Sequence, residues 1–182
     1  KGAAEGKGRG KEILGVIRSC DMVLYIVDPF QDSHFKVLHR ELENAGIRLN
    51  QTKPPVFVKR VDKGGIDVRT TVEQTHLTPE EMGDIIRSFG YTSAIVTLRA
   101  DTTAEMLVDT MVGSRVYSKS VIAVNKIDIA TEEEIVSAEK ALPQDWPIMR
   151  ISAFKGTGLD ELKDFIYDNL GFMRIFLKPQ GQ

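Results

Sequence analysis

Apolar positions along this chain follow two rhythms. The first is the continuous run. MVLYIVD (22–28), SVIAVNKID (120–128) and PIMRISA (147–153) are almost unbroken apolar stretches that each give way to polar residues. Runs of this kind predict strands covered on both faces, as in a parallel sheet. SAIVTLR (93–99) and MRIFLK (173–178) read as further strands. The second rhythm is helical, over SHFKVLHRELENAG (33–46), LTPEEMGDIIRSFG (77–90), TAEMLVDTMVG (103–113), TEEEIVSAEKAL (131–142) and GLDELKDFIYDNLG (158–171). Start and stop signals support these helices. Ser33 is placed as a cap and Gly46 as a stop, while Thr78 with Glu81 and Thr131 with Glu134 have capping-box spacing. Pro79 suits a first helical position. Finally, PVFVKRV (55–61) and GIDVRTTV (65–72) alternate on either side of an Asp-Lys-Gly-Gly corner, which predicts a β-hairpin.

Strands at 22–28, 120–125 and 147–152 alternating with helices define an α/β class, an open parallel sheet wound on both faces. Asn125 lies 97 positions after Asp28, however. A crossover between parallel strands needs only a dozen or so residues. The surplus, 46–100, carries its own hairpin, helix and strand, enough for a small inserted α+β domain.

Composition narrows the class further. Apolar residues make up 42% and charged residues 27% of 182, as in soluble globular chains, and 24 basic residues nearly balance 26 acidic ones. A polyanion partner would therefore have to be met by a local patch. Cys20 is the only cysteine, which excludes a disulfide framework and fits a reducing compartment. No apolar run approaches the roughly 18 residues of a membrane span, so no membrane partner is expected.

Candidate chemistry begins with EGKGRGKE (5–12), which fails as a phosphate loop. Gly10-Lys11 has Glu5 in place of the first glycine and Glu12 where a hydroxyl must reach magnesium. Gly6 and Gly8 lack the third glycine of a dinucleotide fingerprint, since residue 11 is lysine. A glycine-rich loop is expected instead. His34 and His39 are five apart, off the spacing that aligns ligands on a helix, and His76 stands alone, so no metal site is expected. Ser33 lacks a nucleophile elbow, and Met106 and Met111 belong to an amphipathic face.

The chemistry concentrates where ligands of open α/β sheets bind, past the carboxyl ends of the strands. VIAVNKID places Asn125, Lys126 and Asp128 there. A carboxylate at Asp128 can accept from N1–H and N2–H₂ of guanine together, a pair that adenine does not offer. Asn125 can meet the other edge of the base, and the Lys126 stem can lie over the ring. RISAFK (150–155) follows the next strand. There Ser152 can brace Asp128, the turn at Ala153 can aim a backbone N–H at guanine O6, and Phe154 with Lys155 can flank the base. No catalytic residue is assigned.

NKID followed by ISA resembles the guanine-recognition half of a small GTPase domain. GAAEGKGRGKEILGVIRSCDMVLYIVDP, GIRLNQTKPPVFVKRVDKGGI, SRVYSKSVIAVNKID and MRIFLKPQGQ together resemble the developmentally regulated GTP-binding proteins, relatives of the Obg group. The resemblance implies a P-loop GTPase-type domain in two parts, 1–45 and 101–171. Between them it implies an insert at 46–100 like a domain of a small-subunit ribosomal protein, and after them the start of a TGS domain at 172–182. EGKGRGKE then corresponds to switch II, a segment that rearranges when the γ-phosphate leaves. The phosphate loop and the magnesium-holding residues are expected upstream of Lys1. The implied activity of the full-length protein is hydrolysis of GTP to GDP with Mg²⁺, in the cytoplasm and linked to translation. The 182-residue chain alone is expected to be inactive. Expected partners are GTP or GDP, the ribosome or RNA, and a regulatory protein.

The insert supports an alternative, a non-catalytic RNA- or ribosome-binding module. Arg48, Lys53, Lys59, Arg60, Lys63 and Arg69 outnumber Asp62 and Asp67 across 48–69, and Phe57 offers a ring for stacking.

Overall fold

The computed structural model describes residues 10–31, 33–173 and 175. The chain divides into two compact units, one formed by 1–45 with 118–182 and the other by 46–117.

In the first unit, β1 (Met22–Val27) pairs in parallel with β6 (Val116–Val124), and β6 pairs in parallel with β7 (Ile148–Arg150). The register sets Leu24 beside Val121 and Ile26 beside Ala123, so alternate residues face opposite sides. On one side Val121, Ala123 and Ile151 pack against Leu162 of α6 (Leu159–Leu170). On the other, Tyr25 meets Phe35 of α2 (Ser33–Asn44), with ring centroids 4.9 Å apart, and Trp146, at 6.1 Å. Helix α5 (Glu132–Lys140) opens with the capping box read from the sequence: the Glu134 N–H donates to Thr131 Oγ1, and the Thr131 N–H to Glu134 Oε2.

A helix not expected from the sequence, α1 (Gly10–Arg18), precedes β1. Residues 5–9 of the predicted glycine-rich loop lie outside the described residues, but Gly10, Lys11 and Glu12 form the first turn of this helix. Ile13, Leu14 and Ile17 recur at helical spacing, Leu14 is buried, and Arg18 Nη1 donates to the Ala45 carbonyl at 2.8 Å.

The second unit contains β2 (Ile47–Leu49), β3 (Val56–Arg60), β4 (Ile66–Thr70), α3 (Pro79–Ser88), β5 (Ala94–Leu98) and α4 (Ala104–Val112). The expected hairpin between 55–61 and 65–72 is not formed. The order is β3-β5-β4, with β5 antiparallel to β3 and parallel to β4. The Asp-Lys-Gly-Gly corner does reverse the chain, with Gly64 and Gly65 at φ 113° and 73°. It leaves a gap two strand spacings wide, about 10 Å, which β5 fills. Val56, Ala94, Val96 and Leu98 form the core with Met82 and Ile86 of α3 and Leu107 of α4. Because α4 supplies Leu107, the unit runs to Tyr117, past the boundary at 100 read from the sequence. Most of the predicted strand 173–178, and of the segment 172–182 assigned to a TGS domain, lies outside the described residues; Met173 and Ile175 are exposed and in no strand.

Among the described residues no helix is long and apolar enough to cross a membrane.

Candidate functional site

Strands β6 and β7 run side by side and finish level with each other, so the segments that follow them begin as neighbours. The Ile151 N–H donates to the Val124 carbonyl at 2.8 Å and the Ile127 N–H to the Ile151 carbonyl at 3.3 Å. These bonds continue the ladder past the strands, and they set Asn125-Lys126-Ile127-Asp128 against Ser152-Ala153.

Side chains then tie the two loops together. Ser152, fully buried, donates from Oγ to Asp128 Oδ1 at 2.6 Å and accepts from the Lys155 N–H at 3.1 Å. The Ser152 hydroxyl holds the Asp128 carboxyl below its ordinary pKa, against a smaller upward push from desolvation. Asp128 is therefore ionised at neutral pH. Having taken one donor from Ser152, it keeps lone pairs for two more. The Ala153 N–H donates to Asn125 Oδ1 at 2.9 Å. In this structure, then, the amide expected to face a ligand is held by Asn125, and Asn125 is a tie between loops. Phe154 is 91% exposed, and Lys155 is also exposed.

Lys126 adopts φ 70°, a left-handed conformation that a side-chain-bearing residue seldom takes. Its ammonium meets Asp28 Oδ2 at 2.7 Å, and Asp28 Oδ1 accepts from the Phe30 N–H at 3.1 Å. The hydrogen bond from Lys126 is the largest influence on Asp28 and holds its pKa down. Sequence reasoning missed Asp28 as a member of this constellation. The available signal was its place at the end of MVLYIVD, level with VIAVN in the parallel register.

The loop after Ser152 is shaped by its glycines. The Ser152 N–H donates to the Thr157 carbonyl and the Gly156 N–H to the Ser152 carbonyl, closing a tight turn. Gly158 sits at φ 74°, and a Cβ there would lie 2.3 Å from the Arg150 carbonyl oxygen. Arg150 is itself fixed, donating to Glu139 and Glu132 of α5 at 2.7–2.8 Å. A Gly158→Ala variant must relieve a backbone clash and carries a left-handed penalty of about 1–2 kcal/mol besides. Thermal unfolding is expected to show a lower Tm, and any ligand that touches Ser152 or Ala153 is expected to bind more weakly.

The basic residues predicted for 48–69 are dispersed. Arg48 is buried, with Nε and Nη2 on Asp109 Oδ2 and Oδ1 at 2.7 and 2.8 Å, so it is withdrawn from any surface role. Arg60 donates to the Gly90 carbonyl and lies 4.8 Å over the Tyr91 ring. Lys53, Lys59, Lys63 and Arg69 are exposed. Among the described residues no group of three His, Cys, Asp or Glu side chains converges on a metal-sized site.

Residues 63–172 match the family model described as the C-terminal region of the MMR_HSR1 domain. Across its whole length the chain is 43% identical to an uncharacterised GTP-binding protein of Methanocaldococcus jannaschii, covering 46% of that protein. It is 38% identical to developmentally-regulated GTP-binding protein 1 of Xenopus laevis, covering 49%, and 37% identical to ribosome-interacting GTPase 1 of Saccharomyces cerevisiae, covering 48%. The α/β fold and its mostly parallel sheet are consistent with a P-loop GTPase-type domain, and these relatives place the chain in the class of GTP-binding proteins. Within that class, the chain belongs to the developmentally regulated GTP-binding protein family. It spans about half the length of the relatives it matches.

Proposed function

We propose that the first unit reads the guanine base of GTP and GDP through Asp128, and that the full-length protein hydrolyses GTP to GDP and phosphate. The observation that carries the first part is the Ser152–Asp128 bond of 2.6 Å, which fixes an ionised carboxylate at the mouth of the sheet within reach of the Ala153 turn. In this reading Asp128 accepts the two N–H donors on one edge of guanine. The 152–155 loop covers the ring at O6, and the Lys126 stem lies along its face. An acceptor pair that the bound base covers, and that adenine leaves unsatisfied, makes the selection steep. Phe154 closes over the base once it is present.

The second part draws on the relatives, which are named as GTP-binding proteins and GTPases. Phosphoryl transfer is positioning and electrostatic stabilisation around the triphosphate and magnesium. Within that scheme, the part that the described residues support is base recognition. The yeast relative's name supports a ribosomal partner for the full-length protein, with residues 46–117 as an accessory module; a cytoplasmic setting is part of the same proposal.

Phosphate release by the full-length protein with magnesium and either GTP or ATP tests this reading. Turnover of GTP that exceeds turnover of ATP at least a hundredfold is expected. Equal turnover of the two, or none of GTP, contradicts it.

Asp28 gives a smaller, separable effect. Removing its charge in Asp28→Asn frees Lys126 without touching the base acceptor. Affinity for GDP is expected to fall by roughly two- to fivefold, the size of a partly exposed ion pair, with the ratio of guanine to adenine nucleotide affinity unchanged. Competition binding measures both.

A further inference from the structure

We infer that the helix-free face of the β3-β5-β4 sheet is a platform for single-stranded RNA. The inference rests on the proposed ribosomal partner only for its choice of RNA among polyanions.

Alternation separates the two faces. Val56, Val58, Ala94, Val96, Leu98, Ile66 and Val68 turn towards α3 and α4. The intervening residues point the other way and align across the strands in two rows, Phe57–Thr97–Arg69 and Lys59–Ile95–Asp67. Phe57 is 55% exposed, although a phenyl ring on a sheet face is ordinarily covered. The Arg99 guanidinium lies 5.1 Å from its centroid, so the ring carries a cation on its π-face rather than an apolar neighbour. Arg69 is 61% exposed, and Lys59 is open to solvent. Three cations thus share the face with one aromatic ring, and Arg99 lies directly against it. The single carboxylate in the rows, Asp67, pairs with Arg69 Nε at 2.8 Å and offsets one of the three positive charges, which leaves the face net positive.

That combination fits one class of partner. An apolar protein surface would meet charges at the centre of the patch, where protein interfaces are depleted of them. A duplex hides the faces of its bases, so it cannot stack on Phe57 or on the guanidinium plane above it. An unpaired strand supplies both complements: bases with free faces for Phe57 and Arg99, and phosphates for Lys59 and Arg69.

Fluorescence anisotropy tests this with the intact 182-residue chain and a labelled single-stranded RNA of about ten nucleotides, set against a duplex of the same sequence. The single strand is expected to bind at least fivefold tighter than the duplex, because stacking is available to it alone. Phe57→Ala is expected to weaken single-strand binding by about tenfold, and Phe57→Trp to restore it, which separates stacking from loss of fold. The Lys59→Ala, Arg69→Ala double variant is expected to lower the slope of log affinity against log salt by about 1.4, two phosphate contacts' worth. Equal binding of duplex and single strand, no binding of either, or unchanged affinity in Phe57→Ala overturns the proposal. Titration of the same samples with GDP keeps the two readings apart. Loss of RNA binding with guanine-nucleotide binding intact counts against the platform alone.

Discussion

Asp128→Asn in the full-length protein is expected to exchange guanine preference for xanthine preference. In the proposed reading the carboxylate accepts from N1–H and N2–H₂ of guanine, whereas a carboxamide presents a donor to one of those donors and leaves it unsatisfied. Xanthine carries an oxygen at position 2 and accepts from the same amide. Charge-assisted hydrogen bonds contribute about 1.5–3 kcal/mol each, roughly twice a neutral one, so losing one and weakening the other lowers GDP affinity by on the order of a hundredfold. XDP affinity is expected to rise as GDP affinity falls. The structure adds a control. Ser152 donates to the carboxylate of Asp128 at 2.6 Å and can equally donate to the carbonyl oxygen of asparagine, so the loop tie survives. A competition assay with GDP, XDP and ADP shows the exchange; retained GDP preference would mean that another residue reads the base.

The largest expected effect on stability lies in the other unit. Asp109 is 5% exposed and accepts from both Arg48 and Arg115, the latter at 2.7 Å. Asp109→Ala leaves the buried Arg48 guanidinium with its carboxylate partner gone, a change that costs about 3–5 kcal/mol in comparable buried pairs. Urea unfolding of the chain is expected to show that loss. Replacing the pair together, with Arg48→Met and Asp109→Leu, removes the buried guanidinium and is expected to recover part of that loss, since Arg115 loses the same carboxylate. The acid response follows from the same contacts. Burial pushes the Asp109 carboxyl up, but Arg48 and Arg115 outweigh it and hold the pKa below its ordinary value. A carboxyl depressed on folding contributes stability that is present above its unfolded pKa, about 3.9, and is lost as pH falls towards the folded value. The Asp109→Ala variant is expected to lack that part of the acid slope.

Local signals were the legible part of this fold. Thr78 with Glu81 and Thr131 with Glu134 form the capping boxes their spacing predicts, because a cap is decided within four residues. The runs ending in VNKID and RIS predict adjacent loops because consecutive strands of a parallel sheet deliver their carboxyl ends to one rim. What failed depends on distant partners. Asp-Lys-Gly-Gly has hairpin chemistry, yet β5, some thirty residues on, takes the place between β3 and β4. Arg48 belongs by composition to a basic stretch, and its burial is decided by Asp109, 61 residues away. Helix α1 was hidden by its glycine-rich approach, since Gly10 opens a helix whose apolar positions are only Ile13, Leu14, Val16 and Ile17. Asp28 was read as a strand end, because its ion pair with Lys126 spans 98 residues.

The most direct test of base recognition is the amide spectrum of the isotopically labelled chain titrated with GDP and, separately, with ADP. The account predicts that GDP shifts the amide resonances of 125–128 and 152–155 and that ADP at the same concentration leaves them in place. Identical shifts with both nucleotides, or GDP-induced shifts confined to other residues, would contradict it.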